Sequence, residues 1–342
     1  MWHHSHVYNH VVTFTFIVIK NISPLLRIRI PLAAFAISLG IFGAMVSHMA
    51  DAVANTTTAV AVTASGSTAH PSIPKIRHGL TPKDMCHRIG KKLGSVSIRD
   101  CLARKLSASG GLSVRRQIIL GKEYLATTSQ PRARILLFGG IHGDEFSSVS
   151  IVFKWMKRLD NHRSGLFHWY IVPLLNPDGL LQKKSRRVNA RNVDLNRNFP
   201  PLGKDERAGL EYWIQRTKRN PRRYPGPQPL SEPETRWLAK KIDNFQPDVI
   251  IAIHAPYGIV DFDGPPEAPE RLGRLRLNLL GTYPGSLGNY AALQREIPVV
   301  TLELRYAGIL PNKQEIQRIW IDLIQWLLKR FPDTIDGKME KQ

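Results

Sequence analysis

Acidic residues are scarce in this chain: 27 Asp and Glu stand against 48 Lys and Arg, a formal net charge of +21. Much of the basic excess falls in residues 183–197 and 216–223. Such a surplus raises the local concentration of anionic molecules around it. It does not describe a nucleic-acid reader, because the chain has no groove-reading helix, no zinc-finger spacing and no aromatic RNA-binding signature. Cysteine is nearly absent, with only Cys86 and Cys101. That allows one disulfide in an oxidising compartment, or two ordinary thiols in the cytosol. No internal repeat is found, which excludes a solenoid or propeller. The apolar run at residues 30–46 is shorter than a usual membrane-spanning helix.

That run shapes the reading of residues 1–54. Lys20, Arg27 and Arg29 precede it, and Ala50-Asp-Ala52 and Ala52-Val-Ala54 follow it. A basic flank, a short apolar core and small residues spaced A-x-A describe a secretory signal peptide. An uncleaved anchor is the alternative. His3, His4, His6 and His10, with the apolar patch 11–19, are foreign to a leader and read as a start assigned too early, ahead of His-rich metal binding. Residues 55–75, rich in Thr, Ala and Ser, read as a flexible linker. Residues 76–111 read as a small segment outside the main core, holding Cys86 and Cys101 in one disulfide if the chain is exported. Residues 112–332 read as one α/β domain, long enough to bury a large core, and residues 333–342 as a tail.

Within that domain three pieces carry chemistry. His142-Gly-Asp-Glu145 follows the apolar run 133–139, and residues 147–159 place Val149, Val152, Phe153, Met156 and Leu159 on one helical face. His142 and Glu145 therefore lie in a strand-to-helix turn, at the sheet edge where open α/β proteins bind ligands. His254 closes a second apolar run, 249–253, and reaches the same edge. In residues 298–305 the alternation puts Val299, Thr301, Glu303 and Arg305 on one face, opposite Val300, Leu302 and Leu304. Two imidazoles and one carboxylate fill three positions of a tetrahedral ion and leave the fourth open to water, the ligand set of a catalytic zinc site. Elsewhere, Ser231-Glu-Pro-Glu234 reads as a capping box opening a helix through Ile242, with Trp237, Leu238 and Ile242 on its apolar side. Residues 316–328 read as a closing amphipathic helix.

Two further motifs, Asn176-Pro-Asp-Gly179 and Val193-Asp-Leu-Asn-Arg-Asn-Phe-Pro200, complete an ordered set. With them the chain resembles the zinc carboxypeptidase family over roughly residues 112–328. The resemblance implies a single domain with a mixed, mainly parallel sheet of about eight strands flanked by helices. It implies one Zn2+ per chain on His142, Glu145 and His254, with Glu303 as general base and acid. Asn196 and Arg197 match the pair that holds a substrate's terminal carboxylate. An arginine should polarise the scissile carbonyl; Arg186, Arg187 and Arg191 compete for that position, and the spacing favours Arg187. Tyr283 and Tyr290 are both near the loop that carries a mobile tyrosine in pancreatic-type members. Asn192 stands where the amidase pattern has Gly, a place that αL-tolerant Asn can fill.

Within the family, Ile141-His-Gly-Asp-Glu145, the segment 189–198, Ser231-Glu-Pro-Glu234 and Pro284-Gly-Ser-Leu-Gly288 look most like the bacterial murein peptide amidases. Those enzymes cut the amide between the γ-carboxyl of D-glutamate and meso-diaminopimelate. The implied substrate is thus an acidic peptide, a murein tripeptide, and the implied place the bacterial periplasm, or the inner membrane if the leader is retained as an anchor. A general metallocarboxypeptidase, or a deacylase resembling aspartoacylase and succinylglutamate desuccinylase, is the alternative. Against the deacylase, the Asn-Pro-Asp-Gly turn and the Glu-Leu-Arg strand favour the amidase. The oligomeric state is not legible.

Overall fold

The computed structural model describes residues 80–265 and 267–332, so the expectations for residues 1–75 and for the tail 333–342 lie outside the described residues. Among the described residues nine strands form one sheet: β1 (Ser107–Leu112), β2 (Ile118–Tyr124), β3 (Ala133–Gly139), β4 (Phe167–Val172), β5 (Val249–His254), β6 (Ile259–Asp263), β7 (Arg271–Leu272), β8 (Leu275–Leu277) and β9 (Val299–Glu303). Their spatial order is β1-β2-β4-β3-β5-β9-β6-β8-β7. The centre, β4-β3-β5-β9, is parallel. Antiparallel pairs of β2 with β4 and of β6 with β9 extend it on either side. The mixed, mainly parallel sheet of about eight strands that the resemblance implies is present, with nine; β7 and β8 are too short to show periodicity and β1, Ser-Ala-Ser-Gly-Gly-Leu, has almost no apolar alternation, so local pattern does not mark them.

The helices are α1 (Pro82–Lys92), α2 (Ile98–Ala103), α3 (Phe146–Asn161), α4 (Pro177–Leu180), α5 (Ala208–Gln215), α6 (Pro233–Phe245), α7 (Leu293–Arg295) and α8 (Lys313–Arg330). Period-two alternation in the central strands divides the core into two layers. Ile135, Leu137, Ile251, Ile253, Val300 and Leu302 face one cluster, while Leu136, Phe138, Ile250, Ala252 and Val299 face the other. Helices α3 and α8 cover the first face, where Trp320 meets Trp155 and stacks on Trp169, both with ring centroids at 5.5 Å. Helix α6 covers the second with Leu238, Ile242 and Phe245. None of the described helices is long and apolar enough to cross a membrane.

Two expectations change. Ser231 and Glu234 do not form a capping box: α6 begins with Glu232 as N-cap and no side-chain cap bond. The Ser231 hydroxyl donates to Glu232 at 2.9 Å, and the Glu234 carboxylate accepts from Val114 N at 3.2 Å and from the Asn189 amide at 3.3 Å. Long-range partners thus take up the groups that a local cap would use. Nor does the segment with the cysteines lie outside the core. Met85, Cys86, Ile89, Leu93, Val96 and Cys101 share a cluster with β3, α3 and α8. The charges around them, Lys83, Asp84, Arg88, Lys91 and Lys92, hide that stripe in the composition.

Cys86 on α1 and Cys101 on α2 form a disulfide. Closing a loop over a sequence separation of 15 removes chain entropy from the unfolded state, worth about 3 kcal/mol. The double substitution Cys86→Ala/Cys101→Ala should lower unfolding stability by about 2–5 kcal/mol in urea titration. An unchanged midpoint would show that α1 and α2 hold without the bridge.

Candidate metal centre

Strand register assembles the site. His254 is the last residue of β5 and lies beside Glu303, its partner on β9; Leu304 N donates to the His254 carbonyl at 2.8 Å. The end of β3, beside β5, leads into the loop with His142 and Glu145. That loop lies flat against the next one: a Cβ on Gly143 would run into the backbone at Gly179. Asn176 clamps the two together. Its amide donates to the carbonyls of Ile141 (3.2 Å) and Arg187 (3.1 Å), and its Oδ1 accepts from Gly179 N at 2.8 Å.

The result is a buried group of His142, Glu145 and His254 whose candidate ligand atoms lie within 4.8 Å of one another. His142 Nδ1 is 2.7 Å from Glu145 Oε1 and 3.1 Å from His254 Nδ1. On its other side His142 Nε2 faces Asp194 Oδ1 at 3.1 Å. Ionised Asp194 accepts from Nε2, which in the neutral imidazole leaves the Nδ1 lone pair aimed at the Glu145 carboxylate and the second imidazole. Burial and Arg187 oppose charge on the ring, yet Glu145 and Asp194 raise its pKa, so the place at Nδ1 favours a cation, either a proton or a metal ion. Lone pairs converging in that way repel unless a cation lies among them, and a divalent ion with N,N,O ligands fits.

The charges agree. Burial alone would raise the Glu145 carboxyl, but the imidazoles of His142 and His254 hold it below the usual carboxylate range. Burial also opposes the charge on Asp194, and Arg187 with His142 overcomes it. Arg187 Nε donates to Asp194 Oδ2 at 2.9 Å, and its Nη1 lies 3.5 Å from Glu145. Both acids therefore stand ionised at neutral pH, Glu145 among the candidate ligand atoms and Asp194 against His142 Nε2.

Around the group opens a cavity of about 390 Å3, with Glu303, Arg187, Asn196, Arg197 and Tyr283 in its wall. Glu303 is buried, and its Oε2 has no hydrogen-bond partner. Burial pushes its carboxyl above the usual range, partly offset by His254. Arg197 is buried over the Tyr283 ring at 4.5 Å. Burial weighs most against its charge; Asp194 offsets this, while Arg187 and Arg223 add repulsion. An anion beside Arg197 would relieve that repulsion. Asn196 Oδ1 accepts from Leu287 N at 2.9 Å, which turns the amide end of its side chain into the remaining donor.

Of the three competing arginines, Arg187 alone lines the cavity. Arg186 is exposed, and Arg191, also exposed, donates to the Ser231 carbonyl at 3.4 Å. Tyr290 is buried against Phe199, ring centroids 5.4 Å apart, away from the cavity wall. Asn192 has φ +63, the left-handed conformation that Asn tolerates. Asn176 and Asp194 lie within the motifs 176–179 and 193–200, but no local pattern marks their roles as loop clamp and histidine partner. For Asp194 the signal was a lone acid between Val193 and Leu195, both of which are buried.

The zinc carboxypeptidase family profile matches residues 86–260, half of the chain. The chain belongs to the zinc carboxypeptidase family. Among its relatives in that family, murein peptide amidase A of Escherichia coli (strain K12) is 32% identical over 163 residues, covering 46% of this chain and 65% of that protein. Murein peptide amidase A of Vibrio campbellii is 28% identical over 187 residues, 53% of this chain and 73% of that protein. The chain thus spans just under two thirds of the Escherichia coli relative's length. The crystal structure of murein-tripeptide amidase from Escherichia coli O157 aligns with a TM-score of 0.45 at 22% identity, covering 64% of this chain and 89% of that chain.

If Asp194 sets the His142 tautomer, Asp194→Asn should weaken zinc affinity by about 10–100-fold, as loss of an outer-shell partner does elsewhere. Chelator competition on the purified protein reads this directly. Wild-type affinity in the variant would remove Asp194 from the metal site.

Proposed function

We propose that this chain is a zinc-dependent amidase that hydrolyses a peptide amide next to a free carboxylate, the γ-D-glutamyl–meso-diaminopimelate bond of murein peptides. One observation carries the reading: His142, Glu145, His254, Glu303 and the buried Arg197 open onto one cavity. Murein peptide amidase relatives support the substrate class.

One zinc per chain, held by His142, Glu145 and His254, would lower the pKa of a bound water to about 7 and supply the nucleophile. Glu303, with an unpaired carboxylate oxygen beside His254, takes the proton of the attacking water and returns it to the leaving amine nitrogen as the amide C–N bond breaks. Arg187 lines the cavity beside the candidate metal ligands, and its guanidinium would stabilise charge developing on the carbonyl oxygen, a contribution of about 2.7–4 kcal/mol. Arg197 offers a planar fork to the carboxylate of the leaving residue, and Asn196 adds a neutral donor. The basic rim around the cavity, including Arg222 and Arg223, attracts acidic peptides. The disulfide supports an exported protein, consistent with a substrate in the cell wall. The periplasm is the compartment we assign, with an inner-membrane anchor as the other arrangement.

Glu303→Gln should keep its zinc and still bind substrate, because Glu303 is no ligand, while turnover falls by about 10²–10⁴-fold. Turnover close to wild type would remove Glu303 from the reaction.

The carboxylate clamp has its own test. Arg197→Lys keeps the charge and loses the fork, so kcat/KM should drop at least about tenfold with zinc content unchanged. Wild-type L-Ala-γ-D-Glu-meso-diaminopimelate hydrolysis should exceed that of benzoyl-glycyl-phenylalanine by a large factor. Equal or faster cleavage of the phenylalanine substrate would replace the murein amidase by a general carboxypeptidase.

A further inference from the structure

Ser231-Glu-Pro-Glu234 takes no part in the chemistry above, yet it ties two acids to a loop that does. Glu232 and Glu234 at the start of α6 and Asp178 on α4 are buried, with exposures of 1%, 0% and 1%. In a chain with 48 Lys and Arg, the ion pair that these acids make among the described residues is Glu232 with the exposed Arg191, at 3.8 Å. Hydrogen bonds stand where cations would be expected. Asp178 accepts from the Ser113 hydroxyl, the Gln117 amide and Arg115 N. Glu234 accepts from Val114 N in the same turn, at 3.2 Å.

Both glutamates also grip buried Asn189. Its amide donates to Glu232 Oε2 at 2.7 Å and to Glu234 Oε2 at 3.3 Å, so the two carboxylates meet at one nitrogen. Its Oδ1 accepts from Arg191 N at 3.0 Å and from Val193 N at 3.1 Å. Two donated and two accepted bonds use the full capacity of an asparagine side chain. The backbone closes the same turn, Asn189 N donating to the Val193 carbonyl at 3.0 Å. This turn separates Arg187 from Asp194, and those two pair with each other at 2.9 Å. Where Arg187 and Asp194 stand against Glu145 and His142 therefore depends on a turn held by two acids of a distant helix.

Resting on the roles given above to Arg187 and Asp194, we propose that Glu232 and Glu234 are positioning residues: through Asn189 they set the turn between Arg187 and Asp194, and their grip slackens as the solution passes from mildly acidic to alkaline. Asp178 faces Glu234 from α4, Glu232 sits at the N-cap of the same helix, and the turn 113–117 brings the Val114 N–H. Arg191 reaches Glu232. A negative charge on Glu234 thus meets acids and hydrogen-bond donors. Burial pushes its carboxyl up to about 7, with help from Asp178 and against hydrogen bonds that include those of Val114 N and Asn189. An unfolded glutamate titrates near about 4.3. The folded value is the higher one, so the closed, protonated form is favoured in acid, and that advantage is lost as pH rises through about 7. Above that, repulsion from Asp178 works against the hold on Asn189.

Amide hydrogen exchange on the zinc-loaded full chain tests the grip apart from turnover. After correction for intrinsic rates, residues 189–194 should lose protection by about tenfold or more between about pH 5.5 and about pH 7.5, while β3 and β5 keep theirs. Glu234→Gln cannot ionise, so its turn should show no such loss. Kinetics on the murein tripeptide read the positioning. The ratio of kcat in Glu234→Gln to kcat in the wild type should rise about tenfold from about pH 6 to about pH 8 with KM alike, because titrations common to both proteins cancel in it. A merely structural role would move the urea midpoint and leave that ratio flat. Protection in the wild type that does not change with pH overturns the proposal, even if Glu234→Gln fails to fold. A flat kcat ratio, or an equal loss of protection in Glu234→Gln, overturns it too. A loss that Glu234→Gln abolishes, with no tripeptide hydrolysis by either protein, leaves the grip standing and sinks the murein substrate.

Discussion

Three electron-rich atoms from distant parts of the chain are held within 4.8 Å of one another in a buried place, and most of what surrounds them serves to keep them there. A pair of imidazoles and a carboxylate would separate, or take up protons, if their surroundings allowed it. The Asp194 carboxylate accepts at Nε2 of the first histidine, which in the neutral imidazole turns the lone pair of Nδ1 inward, and Arg187 in turn keeps Asp194 ionised. A buried charge costs little only when it is paired and hydrogen-bonded, and the chain Arg187–Asp194–His142 meets that condition without help from solvent.

The rigidity behind this comes from polar groups that join loops instead of completing helices. Asn176 bonds to both neighbouring loops. Asp178 accepts from the Ser113 hydroxyl at 2.8 Å and the Gln117 amide at 2.9 Å. Asn198 donates to the carbonyls of Pro225 and Gln228, and its Oδ1 accepts from the Thr235 hydroxyl at 2.6 Å. Fully satisfied networks of this kind fix one geometry. The parallel strands supply a stiff edge, and the network ties the loops to it, so that side chains far apart in sequence meet with little freedom.

The cavity is asymmetric in charge. Arginines occupy one wall, where Arg197 and Arg187 stand near the metal group, and Asp261 and Asp263 of β6 occupy another. The very basic surface of the chain makes the contrast sharper, since acids without a cation partner are unexpected in it.

Residue types and local periods made part of this legible. Apolar runs ending in His254 and enclosing Glu303 announced strands that end at one edge, because alternation is a local property of the chain. The left-handed conformation of Asn192 was implied by the resemblance, whose pattern has Gly there, together with a residue type that tolerates it. The capping box at Ser231 could not be judged that way, since Glu234 turned to Val114 and Asn189 instead. Nor could the stripe of α1 and α2 be assigned to the core before α3 and α8 were seen to cover it. By itself the sequence determined which chemical groups were available and which sat at strand ends. Only the tertiary structure decided which arginine and which tyrosine face the cavity, and that Asp261 and Asp263 share the face of Glu303. Those outcomes depend on the register between strands far apart in the chain, and a shift of one residue would turn every side chain of β6 to the opposite face.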